Sequence, residues 1–279
     1  MQLASFLVDG RAAFGAVQGD HVVDLHAAFE GRFDDLRAYI AAGMPPAPAT
    51  AGTRHPLSAV ELLPVIPNPS KIICVGLNYR THLEETGKEQ GAQPVIFLRV
   101  ASSQLAHGKP MLVPRESARF DYEGELAVVI GKPGRRIAQA AAWDHIAGYS
   151  CYNDGSVRDW QTHTSQWAPG KNFPATGAFG PCMVTADEID PARALSLVTR
   201  LNGEEVQRSS TDLLIFDIPR IIAYVSTFMP LEPGDVIATG TPGGVGAKRT
   251  PPLWMKAGDV VEVEIERIGV LRNPVAAEA

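Results

Sequence analysis

The apolar positions of the chain come in short runs cut by turn residues, and that rhythm predicts strands. Met1–Val8, Gly15–Gln18 and His21–Asp24 are strand-like, separated by the turn pairs Asp9-Gly10 and Gly19-Asp20. Leu36–Ala42 has helical composition and stops at Gly43. Pro45, Pro46, Pro48 and Gly52 then form a linker that no helix can continue through. These features set off a small N-terminal α+β domain, 1–65, from a larger domain, 66–279.

From Lys71 onward the pattern is mainly β with some α. Strands are expected at Lys71–Val75, Val95–Arg99, Gly124–Ile130, Ile146–Tyr152, Cys182–Thr185, Leu197–Leu201, Val236–Thr239 and Val260–Ile265. Their brevity and Gly, Pro or Asp borders favour a mixed or antiparallel barrel over regular βαβ alternation. One helix stands out. Asp217 can cap it, Pro219 sits in its first turn, Ile218, Ile221, Ile222 and Val225 share a face, and Pro230 ends it.

Composition narrows the function classes. Of 279 residues, 45% are hydrophobic, and 31 acidic against 25 basic residues give a net charge of −6. No basic run offers a surface for nucleic acid or an anionic membrane. No segment approaches the ~20 apolar residues of a membrane helix. The first residues reach a charge before an apolar run of signal length forms, so a soluble, cytoplasmic protein is expected. Cys74, Cys151 and Cys182 form no metal-binding or disulfide pattern and read as reduced thiols.

Candidate chemistry gathers where apolar strands run out. In the segment from Asp121 to Ile130, Glu123 and Glu125 alternate onto one face of a strand, about 7 Å apart at their Cα atoms. Two carboxylates so placed either meet water at an exposed edge or share a cation. Asp154 follows a second apolar strand, as a turn former or as a third oxygen ligand. Three carboxylates without Cys or His suit a hard cation, Mg²⁺, Mn²⁺ or Ca²⁺, better than Zn²⁺.

Other positions admit two readings each. If the piece after Asn78 is helical, His82 and Glu85 stand three apart on one face, as a surface ion pair or as a base with its orienting carboxylate. Lys171 lies among turn residues, either solvated or holding an oxyanion. Arg158 and Gln161 flank the Asp154 turn and would either meet a substrate carboxylate or face solvent. The glycine-rich run from Gly240 to Gly246 exposes N–H groups able to cradle an anion, but it fits neither the Walker A nor the GxGxxG spacing.

Taken in order, Cys74–Arg80 (CVGLNYR), Asp121–Gly131 (DYEGELAVVIG), Asn153-Asp154 with Ser156 and Arg158-Asp159, Gly170-Lys171, and Pro233–Pro242 (PGDVIATGTP) resemble the fumarylacetoacetate hydrolase family. The likeness spans roughly residues 70–275. It implies a twisted β-roll core, a homodimer, and Mg²⁺ or Mn²⁺ held by Glu123, Glu125 and Asp154, with Ca²⁺ possible in crystals. It further implies His82 and Glu85 on a mobile lid, Lys171 as the active-site lysine, and Arg158, Gln161 and Thr241 as substrate-holding residues. The implied reaction is hydrolysis of the C–C bond of an acylpyruvate or related β-diketo acid. Relatives decarboxylate oxaloacetate or isomerise dienedioates, and a non-enzymatic binding protein is the rival of another class. The implied partner is a small keto acid. Three stretches depart from the common pattern. Gly155 and Val157 replace Val and Ala, Asn172–Gly177 replaces a Ser-Phe-Asp run, and Arg99-Val-Ala replaces Lys-Pro-Pro.

Overall fold

The computed structural model describes residues 1–47 and 52–279, so Pro48 of the expected linker lies outside the described residues. Most strands join one 12-stranded mixed sheet. Its main path runs, in space, Arg54–Pro56, His21–Asp24, Arg11–Gln18, Gln2–Val8, Gly177–Thr185, Ile146–Asp154, Gly124–Ile130, Val236–Ala238, Ile72–Gly76 and Val95–Arg99. A five-stranded sheet follows the order Glu204–Ser210, Ser196–Leu201, Val260–Ile265, Gly269–Ala277 and Met111–Val113. Leu126 and Val128 of the first sheet share an apolar core with Leu197, Val263 and Leu271 of the second.

The N-terminal strands continue the large sheet, with Gln2 and Leu3 paired to Val184 and Met183. Leu36 and Tyr39 of the helix Leu36–Ala41 pack in one cluster with Ile72, Ala127 and Val129. Asp35 caps that helix by accepting from the N–H of Ala38. The helix Ile218–Phe228 starts as its sequence predicts: Asp217 accepts from Arg220, and Ile218, Ile221, Ile222 and Val225 are buried. Among the described residues, no helix is long and apolar enough to cross a membrane. The three thiols are free and buried.

Two kinds of strand escape the sequence pattern. The run expected at Cys182–Thr185 is the end of a strand that begins at Gly177 and passes through Gly180 and Pro181, residues that read as turn punctuation. A register shift against Ile146–Asp154 between Tyr149 and Cys151 accommodates them. The strand Gly269–Ala277 was not expected, because Arg272, Asn273 and Pro274 dilute its alternation; Leu271, Asn273 and Val275 nevertheless point inward.

The pairing that matters for function is antiparallel, between Gly124–Ile130 and Ile146–Asp154. It sets Gly124 opposite Asn153 and Glu125 opposite Tyr152. One residue beyond the paired stretch, the N–H of Asp154 donates to the carbonyl of Glu123 at 2.9 Å. Acids separated by about thirty residues of chain are thus neighbours across a strand pair.

Candidate active site

Glu123, Glu125 and Asp154 each offer a carboxylate oxygen within 4.8 Å of the others, and all three are buried. Among the described residues they are the one such group of three. Buried acids this close must be compensated, and two buried cations, Lys171 and Arg99, with the partly buried Arg158, face them. Lys171 Nζ donates to Glu123 Oε2 at 2.5 Å and Asp154 Oδ2 at 2.6 Å, and to the Asp154 carbonyl at 3.3 Å. Arg99 Nη1 donates to Asp154 Oδ1 at 2.6 Å. Arg158 Nη2 stands 2.7 Å from Glu123 Oε1, near enough for a charge pair although not aligned as a hydrogen bond.

The compensation is uneven. Burial pushes the Glu123 carboxyl up, and Lys171 with Arg158 more than reverses this, holding it well below the usual range. Glu125 has no such cation. Burial, then the charges of Asp154 and Glu123, push its carboxyl well up, opposed by Lys171 and by the Gly240 N–H on Oε2 at 2.8 Å. An all-oxygen donor set with one uncompensated acid fits a hard divalent cation.

His82 lies on the helix Arg80–Thr86, and its Nδ1 is 2.6 Å from Glu85 Oε1. An ionised carboxylate only accepts, so Nδ1 carries the proton and Nε2 is left as the basic nitrogen. The Gly244 N–H holds the other oxygen of Glu85 at 2.8 Å, and the Gly243 N–H donates to Thr81 Oγ1 at 3.0 Å. The helix is therefore fastened to the glycine-rich loop. That loop does cradle anions, and they are the chain's own. Gly246 and Ala247 donate to the two oxygens of Asp121 at 2.8 and 2.9 Å, alongside the bonds to Glu125 and Glu85.

A cavity of about 590 Å³ brings the pieces together, lined by His82, Glu123, Glu125, Asp154, Lys171 and Thr241. Arg158 and Gln161 also line it, while Glu85 supports His82 from behind. Lys171 is not a solvated loop residue. It is 1% exposed, ends the helical turn Ala168–Lys171, and lies 4.9 Å from the centroid of the Phe97 ring. Arg158 is committed to the chain, with Nε on Asp121 Oδ2 at 2.8 Å and Nη1 on Gln161 Oε1 at 3.1 Å. Thr241 donates to the Gly124 carbonyl at 3.0 Å and accepts from Gln207 at 2.8 Å.

Sequence reasoning passed over several contributors. Arg99 entered only as a departure from a family pattern, and Gln207, on an unexpected strand, also accepts from the Gly124 N–H at 3.0 Å. Trp167 forms a wall with Phe97, their rings 5.4 Å apart and edge to face, and Lys88 rests over its ring at 5.1 Å. Only Gly fits opposite that wall at position 76, where a Cβ would lie 2.3 Å from Trp167 Cζ3.

Residues 71–276 match the family model described as fumarylacetoacetate (FAA) hydrolase, C-terminal. A mitochondrial oxaloacetate tautomerase of Xenopus laevis is 40% identical over 265 residues, 92% of this chain and 83% of that one. The solved structure of a fumarylacetoacetate hydrolase from the psychrophile Exiguobacterium antarcticum superposes with a TM-score of 0.89 at 38% identity, covering 100% of both chains. A 5-carboxymethyl-2-hydroxymuconate delta-isomerase of Mycobacterium smegmatis does so with a TM-score of 0.83 at 35% identity, again over 100% of both.

Proposed function

The chain belongs to the fumarylacetoacetate hydrolase family, and on that premise we propose that its cavity forms and protonates the enolate of a small 2-oxo acid, the reaction being keto–enol tautomerisation of an oxaloacetate-like acid. The observation that carries this reading is His82, held from behind by Glu85, lining one cavity with three carboxylates and Lys171. Tautomerisation needs one group that takes a proton from carbon or oxygen and returns it to the other, with compensation for the charge between. His82 Nε2 is the transferring atom, and Glu85 stabilises the imidazolium while the proton is held. Glu123, Glu125 and Asp154 would hold a divalent cation, which supplies an electrophile for the 2-oxo and carboxylate oxygens when bound. Lys171 and Arg158 keep Glu123 ionised for that task. Gln161 and Thr241 line the cavity and border the substrate. The Xenopus relative, whose name states this reaction, supports the choice.

C–C hydrolysis of an acylpyruvate is the second reading. It uses the same enolate as leaving group, with His82 taking its proton from water. The cavity, about 590 Å³, favours it in one respect, since a four-carbon acid leaves most of that volume to solvent. One pair of assays separates the two. With Mn²⁺ or Mg²⁺ present, loss of the enol absorbance of oxaloacetate without pyruvate formation supports tautomerisation. Conversion of acetylpyruvate to acetate and pyruvate supports hydrolysis. EDTA-insensitive rates in both assays would remove the cation from the scheme.

A further inference from the structure

Arg99 ends the strand Val95–Arg99 with a side chain that is 0% exposed. Nη1 donates to Asp154 Oδ1 at 2.6 Å and to the Gly155 carbonyl at 3.1 Å. Nη2 donates to Thr176 Oγ1 at 2.7 Å, and Nε to Ser103 Oγ at 3.3 Å. The backbone closes over it at Gly177, where a Cβ would stand 2.8 Å from both Nε and Nη2. Segments around positions 99, 103, 155 and 176 are thereby tied to one planar group.

We propose that Arg99 is the positioning residue of Asp154, fixing the plane of that carboxylate so that it serves as a cation ligand. Asp154 is the last residue of its strand and precedes Gly155, so the backbone alone leaves the carboxylate free to turn. Its two oxygens are held differently. Lys171 grips Oδ2 with an ammonium on a flexible stem, a point charge without directional demand. Arg99 grips Oδ1 with a rigid fork whose other donors are already fixed. Only the second arrangement transmits an orientation.

This inference rests on the reading that the triad holds a divalent cation, and its test reads binding directly, without substrate. Purified wild type and Arg99→Met are titrated with Mn²⁺ and free Mn²⁺ is followed by electron paramagnetic resonance. Wild type is expected to bind one Mn²⁺, and Arg99→Met to bind it about 10–100-fold more weakly, the usual loss when the group behind a metal ligand is removed. The direction discriminates, because taking a positive charge from beside the ligands would by charge alone tighten the site. Unchanged or tighter binding overturns the proposal. Arg99→Lys keeps the charge without the fork and is expected to fall between the two. It decides the matter if the Met variant does not fold, and a folded Lys variant with wild-type affinity overturns the proposal. A wild-type protein that binds no Mn²⁺ removes the cation reading and this one together, whereas wild-type affinity in both variants removes this one alone.

Discussion

Glu85 is held by Gly244. The backbone N–H of Gly244 reaches one carboxylate oxygen at 2.8 Å while the other faces the His82 ring at 2.6 Å. The orientation of the imidazole is therefore set by a loop 159 residues further along the chain. A helix of seven residues would not fix an imidazole so tightly by itself.

Replacing His82 by Ala is expected to lower turnover about 10²–10⁴-fold, the usual contribution of a proton-transferring side chain, with Mn²⁺ binding unchanged. Glu85→Gln should lose less, since its amide oxygen still accepts from Nδ1 but carries no charge to stabilise the imidazolium. Steady-state rates and Mn²⁺ titration of the same preparations check both. A fully active His82→Ala protein would take this residue out of the reaction.

Asp154→Asn should abolish measurable Mn²⁺ binding and activity together. Asp154→Ala should destabilise the fold more than Asp154→Asn, by about 3–5 kcal/mol against wild type, because it removes the charge and also leaves Arg99 and Lys171 without any side-chain acceptor there. Chemical denaturation distinguishes the two variants. Equal stability would mean that these cations find other partners.

Gly76→Ala should lower stability by about 1–3 kcal/mol through overpacking against Trp167. It should also change Trp fluorescence, since the displaced ring is the part that can move. Trp167→Phe in the same chain should recover part of the loss. No recovery would place the strain elsewhere.

The thiols give a pH prediction. Burial pushes Cys182 up to about 11, and pushes Cys74 and Cys151 up as well. The folded chain should therefore be inert to Ellman's reagent near pH 8, about half a unit below the ordinary thiol value, and expose all three thiols only on denaturation. Because the unfolded thiols lose their protons first, their contribution to stability is complete below about pH 8.5 and falls as pH rises toward the folded values. Denaturant midpoints measured across that window check the sign. A midpoint that rises with pH would contradict it.

The local rules of the sequence carried some parts of the site and not others. Glu123 and Glu125 were legible because a period of two places alternate residues on one face, and the apolar run behind them marked that face as buried. Asp154 became legible only as the third member of that set. Arg99 was not, since its partners lie 55 and 77 residues away and no local pattern announces a buried guanidinium. Lys171 looked like a loop residue because Pro169 and Gly170 precede it, yet those residues bend the chain so that the ammonium enters the site. The strand from Gly177 was hidden in the same way by Gly180 and Pro181. Turn formers mark a change of direction without saying whether the next residue faces water.

The loop from Gly240 to Ala247 spends its N–H groups on Glu125 and Asp121, from one stretch of chain, and on Glu85, from another. For protein engineering this makes the loop a keystone: an altered backbone there would disturb the acidic triad, the Arg158 anchor and the histidine together, and activity should vanish in one step rather than fade. Attempts to redirect the enzyme toward new acids should leave that loop intact and vary the cavity's solvent-exposed lining at Arg119 and Lys248, where no ion pair is broken among the described residues.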